Sequence, residues 1–248
     1  MSALPLDRDG QPGIDLDAVN GELATRDADG RVRWAVEHLP GAHALSTSFG
    51  AQAAVALHLV TRVAPGIPVI LVDTGYLFPE TYRFADELQA RLRLNLKVYR
   101  PELTPAWLEA RHGRLWEQGP DRTRRLGQLT KVEPMRRALA ELGVSTWIAG
   151  LRRVQSRSRS ALKPLAQQEG RWKLSPLFDW TDRDVYQYLT RHDLPYHPLW
   201  HQGYVSIGDV HTTRPAGEGV TGEQTRFGGT HRECGLHDLD AHDTHGPT

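Results

Sequence analysis

Residues 42–75 read AHALSTSFGAQAAVALHLVTRVAPGIPVILVDTG, and the fold class turns on this stretch. Ala42–Ser46 is a short apolar run ending in the small-residue turn Ser46-Thr47-Ser48-Phe49-Gly50. Gln52–Val63 follows, almost wholly apolar and long enough for a buried helix. Ile67–Val72 is continuous and rich in β-branched residues, as a strand buried on both faces should be, and it ends in Asp73-Thr74-Gly75. A strand, a helix and a second strand in that order are the repeating unit of a parallel sheet.

The alternation continues in both directions. Pro79 is placed for the first turn of a helix whose inner face is Phe84, Leu88 and Leu92. Leu94–Tyr99 reads as the next strand, and Val132, Met135, Leu139 and Leu142 form a second helical stripe. Thr146–Ala149 is another strand, Trp172–Leu174 a short one, and Asp182–Arg191 a helix. Upstream, Leu16, Val19, Leu23, Trp34 and Leu39 predict one or two amphipathic helices interrupted near Gly30, behind a loose Pro-, Gly- and Asp-rich lead-in. The expected fold class is α/β, a mainly parallel sheet flanked by helices, with ligands at the C-terminal strand ends. After about His201 the periodicity fades, and residues 203–230 hold seven glycines. The expected division is an α/β domain over residues 1–202 with a helical N-terminal lead-in, then a flexible C-terminal segment over 203–248.

Composition excludes several classes. Lys plus Arg and Asp plus Glu both total 30, so the formal net charge is zero, which argues against broad nucleic-acid or membrane-surface binding. The N-terminus, MSALPLDRDGQPG, has no apolar signal region, and no apolar run is long enough to span a bilayer. One cysteine, Cys234, permits no intramolecular disulfide and suits a reducing, cytoplasmic compartment.

Four segments can carry chemistry. The turn Ser46–Gly50 offers hydroxyls and backbone N–H groups at a helix start, an anion site or an ordinary turn with Ser48 as helix cap. It fits neither the Walker nor the Rossmann pattern. Asp73, at a strand end, can accept from a ribose or adenine group or simply form a turn, and Gly75 permits close approach. Residues 150–159, GLRRVQSRSR, place Arg152, Arg153, Arg157 and Arg159 just past a strand, with Gln155 among them, as a phosphate cradle or a solvated basic loop. Lys131, with Arg122, Arg124 and Arg125, can add to the same anion site. Finally, Arg232-Glu233-Cys234-Gly235-Leu236-His237 sets the thiol among cations (Arg226, Arg232, His231, His237) that favour the reactive thiolate. A metal held by Cys234 and His237, with His242 or His245, has only one thiolate to draw on, and no metal is expected.

Over residues 40–237 these segments resemble the phosphoadenylyl-sulfate (PAPS) reductases. The resemblance rests on LSTSFGAQAAVALHLV, PVILVDTGYLFPETYRFADEL, LNLKVYR, KVEPMRRAL, GLRRVQS, DWTDRDVYQYL, YHPLW and RECGLH, all in family order. It implies an adenine-nucleotide α-hydrolase-like fold, with residues 1–202 as a nucleotide-binding domain. Adenosine is expected against Ser46, Thr47, Ser48, Phe49 and Gly50 and against Asp73, Thr74 and Gly75. The mobile C-terminal segment is expected to bring Cys234 over the sulfate. Lys131, Arg226 and His237 are expected at the reaction, with Arg152, Arg153, Gln155, Arg157 and Arg232 binding substrate.

Departures from related groups sharpen this. Adenylyl-sulfate (APS) reductases carry paired cysteines where this chain has Leu126-Gly127 and Asp209-Val210-His211-Thr212, so no iron–sulfur cluster and no other bound cofactor is expected. That favours PAPS over APS, a cluster-free APS reductase being the alternative. ATP pyrophosphatases of this fold have an acidic residue in the first loop that is absent here. The resemblance implies thiolate attack on the sulfate sulfur, giving a cysteine S-sulfonate. A lone cysteine cannot resolve its own S-sulfonate, so an external dithiol is required: thioredoxin as reductant, or glutaredoxin. A homodimer is what the family suggests, with the sulfonucleotide as substrate and neither nucleic acid nor membrane as partner.

Overall fold

A computed structural model describes residues 14–217 and 224–226. Its centre is a six-stranded sheet in the order β3-β2-β1-β4-β6-β5, where β1 is Ala42–Thr47, β2 Pro68–Val72, β3 Asn95–Tyr99, β4 Val144–Ala149, β5 Leu165–Gln168 and β6 Arg171–Leu174. Every pairing is parallel except that of β5 with β6. The described helices are α1 Leu16–Thr25, α2 Ala28–His38, α3 Ala53–Val63, α4 Pro79–Leu92, α5 Pro105–His112, α6 Pro120–Gly127, α7 Glu133–Glu141 and α8 Asp182–Arg191.

The period of two in the strands sorts their side chains between two cores. Leu45, Val69, Leu71 and Ile148 pack with residues of α1–α4 and α8. Their neighbours Ala44, Ile70 and Trp147 pack with Met135, Ala138 and Leu139 of α7. Both faces are therefore covered, as the unbroken apolar runs predict. Inner strands and the α8 boundaries agree with the sequence expectation.

Helices α5 and α6 were not predicted, and two further differences bear on the N-terminus and the sheet edge. The N-terminal helices break at Arg26-Asp27 rather than near Gly30. Asp27 caps α2, its carboxylate accepting the Gly30 N–H at 2.7 Å, so the glycine sits inside the first turn. The sheet also gains β5, which turns onto β6 through Glu169 (φ 50°) and Gly170 (φ 71°), a two-residue hairpin of left-handed residues. Glu-Gly is a weak hairpin signal. The edge strand is pinned by the buried Asn20 of α1, whose amide donates to the Leu165 carbonyl at 2.9 Å and accepts the Leu165 N–H at 2.8 Å.

The strand order reverses at β1. The chain runs outward through β2 and β3, then returns to place β4 on the other side of β1. Such a reversal opens a crevice at the carboxyl ends of the two central strands.

His197 locks one wall of that crevice. Its Nδ1 accepts the Leu199 N–H at 3.1 Å, its Nε2 meets the Thr81 hydroxyl at 3.0 Å, and its own N–H reaches the Ala51 carbonyl at 3.1 Å. Burial pushes this imidazole from an ordinary 6.5 down to about 4. The unfolded chain therefore binds more protons between those values, and stability falls as pH drops from about 6.5 towards 4. Thermal melts of the wild type are expected to lose roughly 5–10 °C across that window. His197→Asn, which keeps an acceptor but cannot titrate, is expected to start lower and lose less.

Candidate active-site cleft

A cleft of about 1180 Å³ occupies the crevice. Ser46 and Thr47 from the end of β1, Val72 and Thr74 from β2, and Ala149–Gln155 after β4 form its floor and one wall. Lys131, Ser206–Asp209 and Arg226 close it from the other side.

The hydroxyl turn is built around a residue that points away from the cleft. Phe49 has a left-handed backbone (φ 47°), an uncommon state for a bulky residue. Its fully buried ring anchors the turn in the core. Its N–H bonds the Thr47 hydroxyl oxygen at 3.0 Å. Phe49 therefore shapes the loop, and its ring does not line the cleft. Ser46 Oγ accepts the Trp147 indole N–H at 2.7 Å. Both hydroxyls retain an O–H to donate towards an anion. Ser48 and Gly50 line the cleft, but Ser48 does not cap α3. Gln52 holds the capping position without a side-chain cap bond, and its amide oxygen accepts from Arg152 at 2.5 Å.

Asp73 and Gly75 also fall outside the cleft lining. The Asp73 carboxylate accepts the Gly75 N–H at 2.9 Å, the Tyr82 hydroxyl at 2.7 Å and Arg100 Nε at 2.9 Å. These contacts make it a turn former. Gly75 (φ 77°) permits a close approach, but to protein: a Cβ there would lie 2.5 Å from Pro105 Cγ, at the start of α5. Thr74 alone of the three faces the cleft, its hydroxyl donating to Asp209 at 2.7 Å.

The arginine loop does line the cleft through Arg152, Arg153, Gln155, Arg157 and Arg159. Its members are not equivalent. Arg152 is buried, and its guanidinium reaches Asp182 at 2.9 Å and the Trp180 carbonyl at 3.4 Å, besides Gln52. Arg153 lies over the Phe178 ring at 4.6 Å with Nε on the Leu162 carbonyl at 2.7 Å. Gln155 accepts from the Arg152 N–H at 3.1 Å and from Arg159. The loop is thus prefolded, with cations placed by packing and carbonyl acceptors.

Lys131 sits in a single π-helical turn, Gln128–Val132, between α6 and α7, where the extra residue turns its side chain into the cleft. Its ammonium is 2.6 Å from Asp209 Oδ2. Arg122, Arg124 and Arg125 are exposed on α6 and do not join it, with Arg124 paired to Asp121 at 2.9 Å. Arg226 is buried at the cleft through an antiparallel bridge to Thr213. Its guanidinium lies so close to Gly208 that a Cβ there would meet it at 2.3–2.6 Å. Arg232, Cys234 and His237 lie outside the described residues.

Sequence reading missed Asp209, Gln52 and Gly208 as site residues. Asp209 stands in a stretch without periodicity, where a buried carboxylate and a turn carboxylate look alike. Among the described residues no group of three or more potential ligands could hold a metal, and no helix is long and apolar enough to cross a membrane.

The family model for the phosphoadenosine phosphosulfate reductase domain matches residues 42–215. A Xylella fastidiosa (strain 9a5c) protein named phosphoadenosine 5'-phosphosulfate reductase is 62% identical over 227 residues, 92% of this chain and 96% of that protein. The crystal structure of a PAPS reductase from Candida auris, a phosphate complex, superposes with a TM-score of 0.71 at 30% identity, covering 86% of this chain and all of that one. Candida glabrata FMN adenylyltransferase, at 17% identity and a TM-score of 0.56 over 82% of this chain and 68% of its own, shares the fold alone. The sheet is of the adenine-nucleotide α-hydrolase-like type, and the chain belongs to the phosphoadenosine phosphosulfate reductase family.

Proposed function

We propose that this protein reduces 3'-phosphoadenylyl sulfate to sulfite and adenosine 3',5'-bisphosphate. The observation that carries the reading is the gathering of Lys131, Arg226 and the arginine loop with the hydroxyl turn around one cleft at the β1/β4 reversal. A cleft of about 1180 Å³ suits a nucleotide-sized ligand, and its cations suit one bearing several anionic groups. The name and phosphate ligand of the Candida auris relative point the same way.

In the first step the Cys234 thiolate attacks the sulfate sulfur. An S–S bond forms, the S–O bond to the nucleotide breaks, and adenosine 3',5'-bisphosphate leaves with the electron pair. Anion meets anion, so fixed positive charge must offset the repulsion, a role for Lys131 and Arg226 together with Arg232 and His237. Cys234 lies eight positions after Arg226, and an extended chain covers at most about 3.6 Å per residue. The covalent tether therefore keeps the thiol within about 29 Å of Arg226.

In the second step a thiolate of an external dithiol, thioredoxin or glutaredoxin, attacks Cys234 Sγ and expels sulfite. The second thiol of that partner then resolves the mixed disulfide and takes up the oxidation. The requirement follows from the cysteine count, since a single thiol cannot both hold the sulfonate and displace it. The same count supports chemistry without an iron–sulfur cluster, whose ligation takes several thiolates.

Mass spectrometry after incubation with PAPS alone is expected to find one sulfonate adduct, on Cys234. Cys234→Ser is expected to form none and to lose turnover by a factor on the order of 10⁴ or more; an adduct on that variant would sink the mechanism. Sulfite release measured with PAPS and APS in parallel, thioredoxin present, is expected to favour PAPS.

Gly208→Ala probes the Arg226 placement. The nearest atoms to the new methyl belong to the far end of a flexible side chain, so the melting temperature is expected to stay near wild type. With the guanidinium displaced by an ångström or more, kcat/KM is expected to fall about 10–100-fold. Unchanged kinetics would show that Arg226 is not placed through Gly208.

A further inference from the structure

Lys131 meets a carboxylate before it meets any ligand. Asp209 is 3% exposed and contacts Lys131 Nζ at 2.6 Å through Oδ2 and the Thr74 hydroxyl at 2.7 Å through Oδ1. The backbone fixes it as well. Asp209 bridges Leu77 in antiparallel fashion, and the Val210 N–H reaches the Tyr76 carbonyl at 2.9 Å. Burial by itself would raise the Asp209 carboxyl, but the Lys131 ammonium and the Thr74 hydroxyl outweigh it and hold it below the ordinary carboxylate range.

The arrangement has a cost and a use. An ion pair inside the cleft cancels one of the charges that an anionic ligand would meet, so it weakens ground-state binding. A lysine is a flexible stem that otherwise carries its ammonium out to water. A buried, doubly anchored carboxylate pins that ammonium on the cleft wall, where charge develops in the reaction. The side chains of Lys131 and Asp209 are 13% and 4% exposed, so the pair is weakly screened.

We propose that Asp209 is a positioning residue for the sulfonucleotide reaction, acting through Lys131: it trades anion affinity for a fixed ammonium. The proposal rests on the reductase reading for its kinetic consequence, but its binding consequence is readable without turnover.

Two variants separate charge from position. Asp209→Asn removes the negative charge with almost no change of shape. Inorganic phosphate, titrated by calorimetry into the full-length protein, is expected to bind it at least about fivefold more tightly than wild type. Its kcat with PAPS is expected to fall about 10–100-fold. Asp209→Glu keeps the charge but moves the carboxylate by one methylene. It is expected to bind phosphate within about twofold of wild type and to lose kcat by about tenfold. A residue needed only for folding would lower the melting temperature and weaken phosphate binding together. An Asn variant that binds phosphate no more tightly than wild type overturns the proposal, and so does a Glu variant with wild-type kcat. Should Asp209→Asn fail to fold, the Glu variant still decides. Absence of PAPS turnover in wild type would defeat the reductase reading and leave the phosphate comparison standing.

Discussion

The reversal of strand order at β1 is the constraint on which the rest of the structure depends. Parallel strands need crossover helices, and helices on both faces leave only the strand ends open. With β2 and β4 on opposite sides of β1, the loops that follow these strands diverge over a gap. Most of the described candidate residues are brought to that gap. The hydroxyl turn follows β1, Thr74 follows β2, and the arginine loop follows β4. Lys131 and residues 206–209 then lie across the open side.

A gap lined with cations must be held together against their mutual repulsion without being neutralised. Neutral acceptors do part of this. Carbonyls of Leu162 and Trp180 and the amides of Gln52 and Gln155 hold the guanidinium and backbone groups of the arginine loop. Aromatic packing adds to this, with Arg153 over Phe178. Among the described residues, carboxylates meet two of these cations: Asp182 on Arg152 and Asp209 on Lys131. Neutral acceptors orient a cation while leaving its charge available to a ligand, whereas a carboxylate orients it and spends it.

The α/β class and the inner strands were legible because a buried parallel strand needs an unbroken apolar run, and IPVILV can hardly be anything else. The hydroxyl turn and arginine loop were legible as segments because they fall directly after such runs. Individual residues within them were not. Phe49 and Asp73 sit in the right loops yet face the protein. A turn residue's direction depends on its φ and on which buried groups lack partners, neither of which is written locally. Gly75 shows the same ambiguity, since a positive φ is needed whether the close neighbour is a ligand or Pro105.

What the sequence determined by itself was periodicity and inventory. Alternating apolar runs require a covered parallel sheet, and one cysteine in the chain requires an outside thiol for any disulfide chemistry. Those conclusions need no distances, because burial patterns and atom counts are properties of the chain. Only the tertiary structure decided which polar groups meet. Lys131 and Asp209 are 78 positions apart, and Thr74 is 135 from Asp209; their meeting is set by a π-helical turn and an irregular segment laid over the strand ends. Contacts of that range arise from the packing of several elements at once, and no local pattern encodes them.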